Sequence, residues 1–283
     1  MNPELATESA NDGRYDREMK LHVVEPTGPM KPRRDPWLVG AAWFFPLFFL
    51  FSLWQLNFDY GQLAHGTGDM FKLIAKMFPP NPADWRIVLR AALQSLQVAL
   101  VGTAIGIIVA FVFGFLAAVN LFPRLGMVVK NAAALLRTIP TLVWALIFIV
   151  AVGMGPVPGI MAITVHASSG LIKMFSQSIE EVDEGVHEAL KATGAGKLQI
   201  IFQGFLPCVT TYFISWSVYR LEIDIGESAI LGVVGAGGIG YQFSNNMRSF
   251  LLPETCFVGL VLFVMVFSVE MLSNWYKNRM KLK

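Results

Sequence analysis

Gly235, Gly237, Gly238 and Gly240 crowd one short stretch, the kind of run that wraps a phosphate where a strand enters a helix. Here charge-poor apolar segments flank it, and no Gly-Lys-Ser or Gly-Lys-Thr occurs anywhere in the chain. No Walker-type loop exists, so this chain is not expected to hydrolyse ATP. The glycines instead let backbone segments approach closely. The 4 histidines are scattered, with no convergent Asp or Glu group that would make a membrane-embedded active site. Cys208 and Cys256 are far apart beside apolar runs, and suggest neither a disulfide framework nor a metal site. No catalytic residue, metal or cofactor is expected.

Arg220 is the charge that needs explaining, because it sits inside an apolar run. A charge in a bilayer core is costly and faces a cavity or a partner. It either lends positive potential to an anion pathway or forms a salt bridge that holds a bundle together. Glu222 and Asp224 are close in sequence, but at two and four positions on they are expected to diverge or align only partly. Arg137 stands near the end of another apolar run, where it can snorkel as an anchor or border the pathway. His166 reads as a packed core residue, and Glu270 as the partner of some basic residue.

Residues 178–207 depart from the apolar pattern. Ile179, Val182, Val186 and Leu190 recur at helical spacing, and Glu180, Asp183, Glu184, His187 and Glu188 cover the other side. Glu180, Glu184 and Glu188 repel at about 0.2–0.5 kcal/mol per pair, offset in part by Lys191. Gly194 and Gly196 can end this helix through a left-handed cap. A second short helix, residues 197–205, then leads through Leu206-Pro207 into the next apolar run. Two helices joined by a tight turn make a lever, whereas an ordinary interfacial linker needs none of these features.

The elements that must carry these residues are membrane spans. Hydrophobic residues make up 54% of the 283, and charged residues only 15%, against about 25% in soluble domains. Residues 38–56 hold no charge, and at about 1.5 Å per residue they nearly cross a ~30 Å hydrocarbon core. Pro46 within them can kink the helix. Further spans are read at residues 91–119, 135–152, 159–175, 208–223 and 255–275. Gly102 and Gly106 form a GxxxG step suited to close helix contact. The polar stretch with Pro79-Pro80-Asn81-Pro82, and the turn at 153–158, should be external, and the loop with Arg124 and Lys130 internal. Basic residues crowd both ends, from Arg14 to Arg34 and from Lys277 to Lys283, so both termini should be cytoplasmic. Lys72, Lys76, Arg86, Arg90 and Arg248 fall outside. The expectation is therefore an all-α polytopic membrane protein of six transmembrane helices. Residues 1–37 form a cytoplasmic tail and 38–283 the transmembrane domain. Each basic cluster abuts an apolar span and no folded basic domain accompanies it, which argues against nucleic acid as a partner.

Glu188-Ala189-Leu190, then Gly194, then Leu206-Pro207 resembles the EAA loop of permease subunits in bacterial ABC importers. Leu190 replaces the second alanine, and Gly204 stands where isoleucine is usual. The run from Ala229 to Gly240 is similar to the glycine-rich segment before the last span of phosphonate, methionine and quaternary-amine permeases. With Arg137-Thr138-Ile139-Pro140, Val165-His166 and Tyr219-Arg220-Leu221-Glu222, the chain from about Trp37 resembles the phosphonate group, whose members also import phosphite or hypophosphite. The resemblance implies a type I, methionine-permease-like core, with a cytoplasmic coupling loop at about 177–207 and an external glycine-rich segment at about 226–250. It implies a second copy of the chain, two cytoplasmic ATPase subunits holding ATP and Mg, and an external solute-binding protein. Glu188, Ala189, Gly194, Leu206 and Pro207 become the coupling residues. Arg220, Arg137 and the glycines Gly235, Gly237, Gly238 and Gly240 become pathway or gating candidates. Permeases for methionine or a quaternary amine remain alternatives on the same resemblance. A secondary transporter would need its acidic residues in the spans, and most lie in the loop instead.

Overall fold

The structure is a computed structural model that describes residues 36–56 and 59–281. The expected tail, residues 1–37, lies outside the described residues except for Pro36 and Trp37. All regular structure among the described residues is helical, and the chain divides into two compact units after Thr67. Helix α1 (Pro36–Gln55) contains Pro46 and buries none of its residues. Trp43, Phe44, Phe45, Leu47, Phe48 and Phe49 are all exposed. A charge-free helix with such a surface is stable only with lipid as its solvent.

Where the sequence reading expected a polar connector, the chain forms α2 (Tyr60–Met77). Leu63, Met70, Phe71, Ile74 and Met77 recur at helical spacing. Asp59 caps its start, accepting from the Gly61 and Gln62 N–H groups at 2.9 and 3.0 Å.

The centre of the second unit is the pair α3 (Trp85–Ala117) and α6 (Pro156–Glu180). A Cβ on Gly102 would come within 2.8 Å of Ile163, and one on Gly106 within 2.8 Å of Ala167. The GxxxG step is therefore a real close contact, and Gly114 repeats it against Phe175 at 2.8 Å. At 33 residues α3 begins ahead of the expected span and runs for about 50 Å.

One expectation needs correction: the stretch with Arg124 and Lys130 is not a short loop ahead of a span at 135–152. Instead α4 (Pro123–Thr138) and α5 (Thr141–Val152) meet at 82°. Pro140 has no N–H and forces Ile139 out of the helical region, so the helix must break there. Residues 159–175 do lie in one helix, α6, but it is not apolar enough to count as a lone span. Four helices are long and apolar enough to cross a membrane, or up to five with the bent pair. α6 packs against α3, α4, α5 and the later α9 rather than lipid, so it tolerates polar residues. Ser168, Ser169 and Ser176 are buried, with hydroxyls donating to the carbonyls of Val165, His166 and Lys173.

After α6 come α7 (Glu184–Ala192), the one-turn α8 (Lys197–Gln199), a π-helical turn (Ile200–Phe205) and α9 (Leu206–Leu231). A glycine-rich reversal follows, then α10 (Gly238–Arg248) and α11 (Leu252–Lys281). α9 is longer than the expected 208–223 span. Its apolar floor joins Phe175 of α6 to Phe213, whose rings stack at 4.0 Å.

Candidate functional site

The lever of residues 178–207 is built differently from the sequence expectation. Ile179 to Leu190 is not one helix: α6 ends at Glu180, and Asp183 starts α7 by accepting from the Gly185 N–H at 2.6 Å. Glu180 also leaves the repelling ladder. Its carboxylate accepts from Lys130 Nζ at 2.7 Å and from the Val119 N–H at 2.6 Å, pinning α6 to α4 and the end of α3. Glu188 and Ala189 are exposed on the outer side of α7. Its inner side carries Val186 and Leu190 onto the π-helical turn. A Cβ at Gly204 would fall 2.5 Å from Leu190 Cδ1 and 3.4 Å from Val186 Cγ1. The two departures from the family pattern thus meet in one contact, where the larger Leu190 fills what the missing side chain of Gly204 leaves.

Gly194 turns the chain with φ +82, the left-handed conformation the sequence reading gave it. Gly196 does not share that role: its φ is −72, and its N–H donates to Gln199 Oε1 at 2.8 Å. The second arm runs without interruption into α9, with Pro207 in the first turn. Pro207 cannot donate a hydrogen bond, and just before it the helix widens, the Leu206 N–H donating to the Ile201 carbonyl. Leu206 packs on the core cluster around Phe175, Phe205 and Phe213. α7 and the base of α9 thus pack on the same π-helical turn.

Arg220 is paired within its own helix. Its guanidinium donates to Asp224 one turn on, where the sequence reading expected only partial alignment, and reaches Glu227 at 3.5 Å. Asp224 is 0% exposed and accepts from Thr103 Oγ1 of α3 at 2.6 Å. Removing one member of such a pair leaves the other charge buried, at about 3–5 kcal/mol. The cluster ties α9 to α3. Arg220 Nε and His166 Nδ1 are buried without a hydrogen-bond partner among the described residues. Arg137 is exposed in the last turn of α4. Glu222 accepts from Ser273 at 2.8 Å and Lys277 at 2.7 Å, tying α9 to α11. Glu270, expected to find a basic partner, is exposed and forms no ion pair among the described residues.

The glycine-rich segment is a reversal with severe steric demands. Gly235, Gly237 and Gly238 have φ of +112, +77 and +75. A Cβ on Gly240 would sit 1.7 Å from the Ala229 carbonyl oxygen. The first N–H groups of α10 are capped by α3: Gly238 donates to Gln94 Oε1 at 3.1 Å and Ile239 to Ser95 Oγ at 3.0 Å. Beside the reversal is a 450 Å³ cleft lined in part by Gly235, Met154, Tyr241, Ser244, Asn245 and Arg248. The sequence reading did not assign these last four to a site and placed Arg248 only among the external basic residues. Their signal was legible, since they recur on one helical face with no carboxylate among them.

A family described as "binding-protein-dependent transport system inner membrane component" matches residues 110–281, a stretch that takes in the lever, the charge cluster and the reversal. The chain belongs to that family. The permease is 32% identical over 238 residues to the phosphite transport system permease protein PtxC of Stutzerimonas stutzeri, covering 82% of this chain and 86% of that one. It is 31% identical over 224 residues to the phosphate-import permease protein PhnE of Mycolicibacterium smegmatis, spanning 78% of this chain and 42% of that longer relative. A chain of the MetNI methionine ABC transporter, solved in inward-facing conformations, matches with a TM-score of 0.61 at 22% identity. It covers 71% of the permease and 98% of that chain, and what is shared is the fold. The permease is a multi-pass inner-membrane transport component rather than an enzyme.

Proposed function

We propose that the permease forms the membrane pathway of an ATP-driven importer for a phosphonate or a related phosphorus oxyanion such as phosphite or hypophosphite. The observation that carries this reading is similarity over four-fifths of the chain to a phosphite permease, with a phosphate-import permease also among its relatives. In this reading six spans cross the bilayer with both termini in the cytoplasm, namely α1, α3, the α4–α5 pair, α6, α9 and α11. Residues 38–283 form the permease domain, residues 1–37 a cytoplasmic tail, residues 177–207 the coupling loop and residues 226–250 the external segment. Two copies enclose one pathway, with two ATPase subunits below holding ATP and Mg. An external binding protein delivers the anion.

Glu188 and Ala189, exposed on α7, meet the ATPase. Gly194 holds the turn, and Leu206 and Pro207 pass the displacement to α9. Gly235, Gly237, Gly238 and Gly240 shape the outer mouth, where Arg248 and the neutral donors of α10 face the arriving anion. Arg220 serves the pathway through position rather than contact, since Asp224 already engages it. ATP binding and release bias two states of the pathway, as ligands bias any two-state equilibrium.

The test uses the whole complex in vesicles, with Glu188→Lys and Gly194→Trp permeases. Uptake and the stimulation of ATPase activity by loaded binding protein should fall at least tenfold while both variants still insert. Unchanged coupling in both would remove the lever from the mechanism. A wild-type complex that accumulates no phosphonate, phosphite or hypophosphite would remove the substrate class.

A further inference from the structure

Between α7 and the turn joining α3 to α4 is a 230 Å³ cavity that the proposed cycle does not use. His187 and Lys191 of α7, Lys197 of the second arm, and Asn120 and Phe122 of the turn contribute to its wall. No Asp or Glu lines it. Neither lysine forms an ion pair among the described residues. Lys197 Nζ stands 5.4 Å from the centre of the Phe122 ring, which holds its charge at the wall. Of the nearby acidic groups, Glu180 is already engaged by Lys130 and the Val119 N–H, and Glu184 and Glu188 are exposed on α7.

We propose that this cavity binds a phosphate-type anion. Two ammonium groups without an ion pair among the described residues, together with the His187 ring on one wall, suit a small tetrahedral oxyanion, through short charge-assisted hydrogen bonds. Such an anion would bridge α7, the second arm and the α3–α4 turn, and so brace the lever against movement. Bracing lowers ATP turnover, a consequence that rests on the coupling role given to α7; binding itself does not. The same chemistry is offered by free cytoplasmic phosphate and by the phosphate of a lipid headgroup.

The experiment takes the assembled complex with wild-type permease, a Lys191→Gln/Lys197→Gln variant and a Lys191→Arg/Lys197→Arg variant. Thermal midpoints are read in detergent against inorganic phosphate, and in nanodiscs of phosphatidylglycerol against phosphatidylcholine. A free-anion site raises the wild-type and Arg midpoints with phosphate, with a response at least tenfold weaker in the Gln variant. A headgroup site gives that difference between the two lipids instead. Identical responses of all three proteins in both arms overturn the proposal, and a Gln variant that fails to fold is replaced by His187→Gln. If binding is seen but phosphate leaves ATP turnover unchanged, the site stands and the bracing role of α7 falls.

Discussion

Leu190 and Gly204 each depart from the family pattern when considered alone, and each is explained by the other in space. Gly204→Ile drives a branched side chain into Leu190 and Val186, an overpacking that costs about 1–3 kcal/mol. Leu190→Ala opens space at a half-buried position, costing less than the ~2–5 kcal/mol of a fully buried leucine. The double variant should melt closer to wild type than either single change, with a coupling of about 0.5–3 kcal/mol. Additive midpoints in detergent would show that the two do not share one contact. The same lesson holds for Arg220. Its need for a partner was legible from a charge in an apolar run, and Asp224 one helical turn on supplies it, but that Thr103, far away in sequence, also donates to this carboxylate was not.

Among elements, the reversal before α10 shows how glycine spacing becomes geometry. Gly240→Ala places a methyl group against the Ala229 carbonyl, which is backbone and cannot rotate away. Gly226→Ala, in α9, meets nothing within 4 Å and gains helix propensity of about 0.5–1 kcal/mol. Thermal melts of the two should therefore move in opposite directions, and a Gly240→Ala protein as stable as wild type would contradict the packing described. The third span marks where linear reading falls short. Hydropathy cannot tell that α4 and α5 turn by 82° at Pro140. The apolar run at 159–175 did mark α6, but its extension to Glu180 and its buried serines depend on the helices that enclose it.

For the whole molecule, apolar side chains along α5, among them Leu142, Leu146, Ile147 and Val150, are exposed among the described residues of the second unit. Lipid and a second copy of the permease are the surfaces able to cover them. Native mass spectrometry of the complex in mild detergent should give two permease copies per pair of ATPase subunits, and a single copy would refute the dimer. The amino-acid sequence by itself determined that this is a helical membrane protein, that residues 178–207 stand apart, and that Gly194 turns the chain. Those features rest on composition, local spacing and the steric freedom of glycine, all of which act between near neighbours. Only the tertiary structure decided that Glu180 leaves the acidic ladder for Lys130, that α10 is capped by Gln94 and Ser95, and that a basic cavity forms behind α7. Each of these features joins residues far apart in the chain, which packing alone brings together.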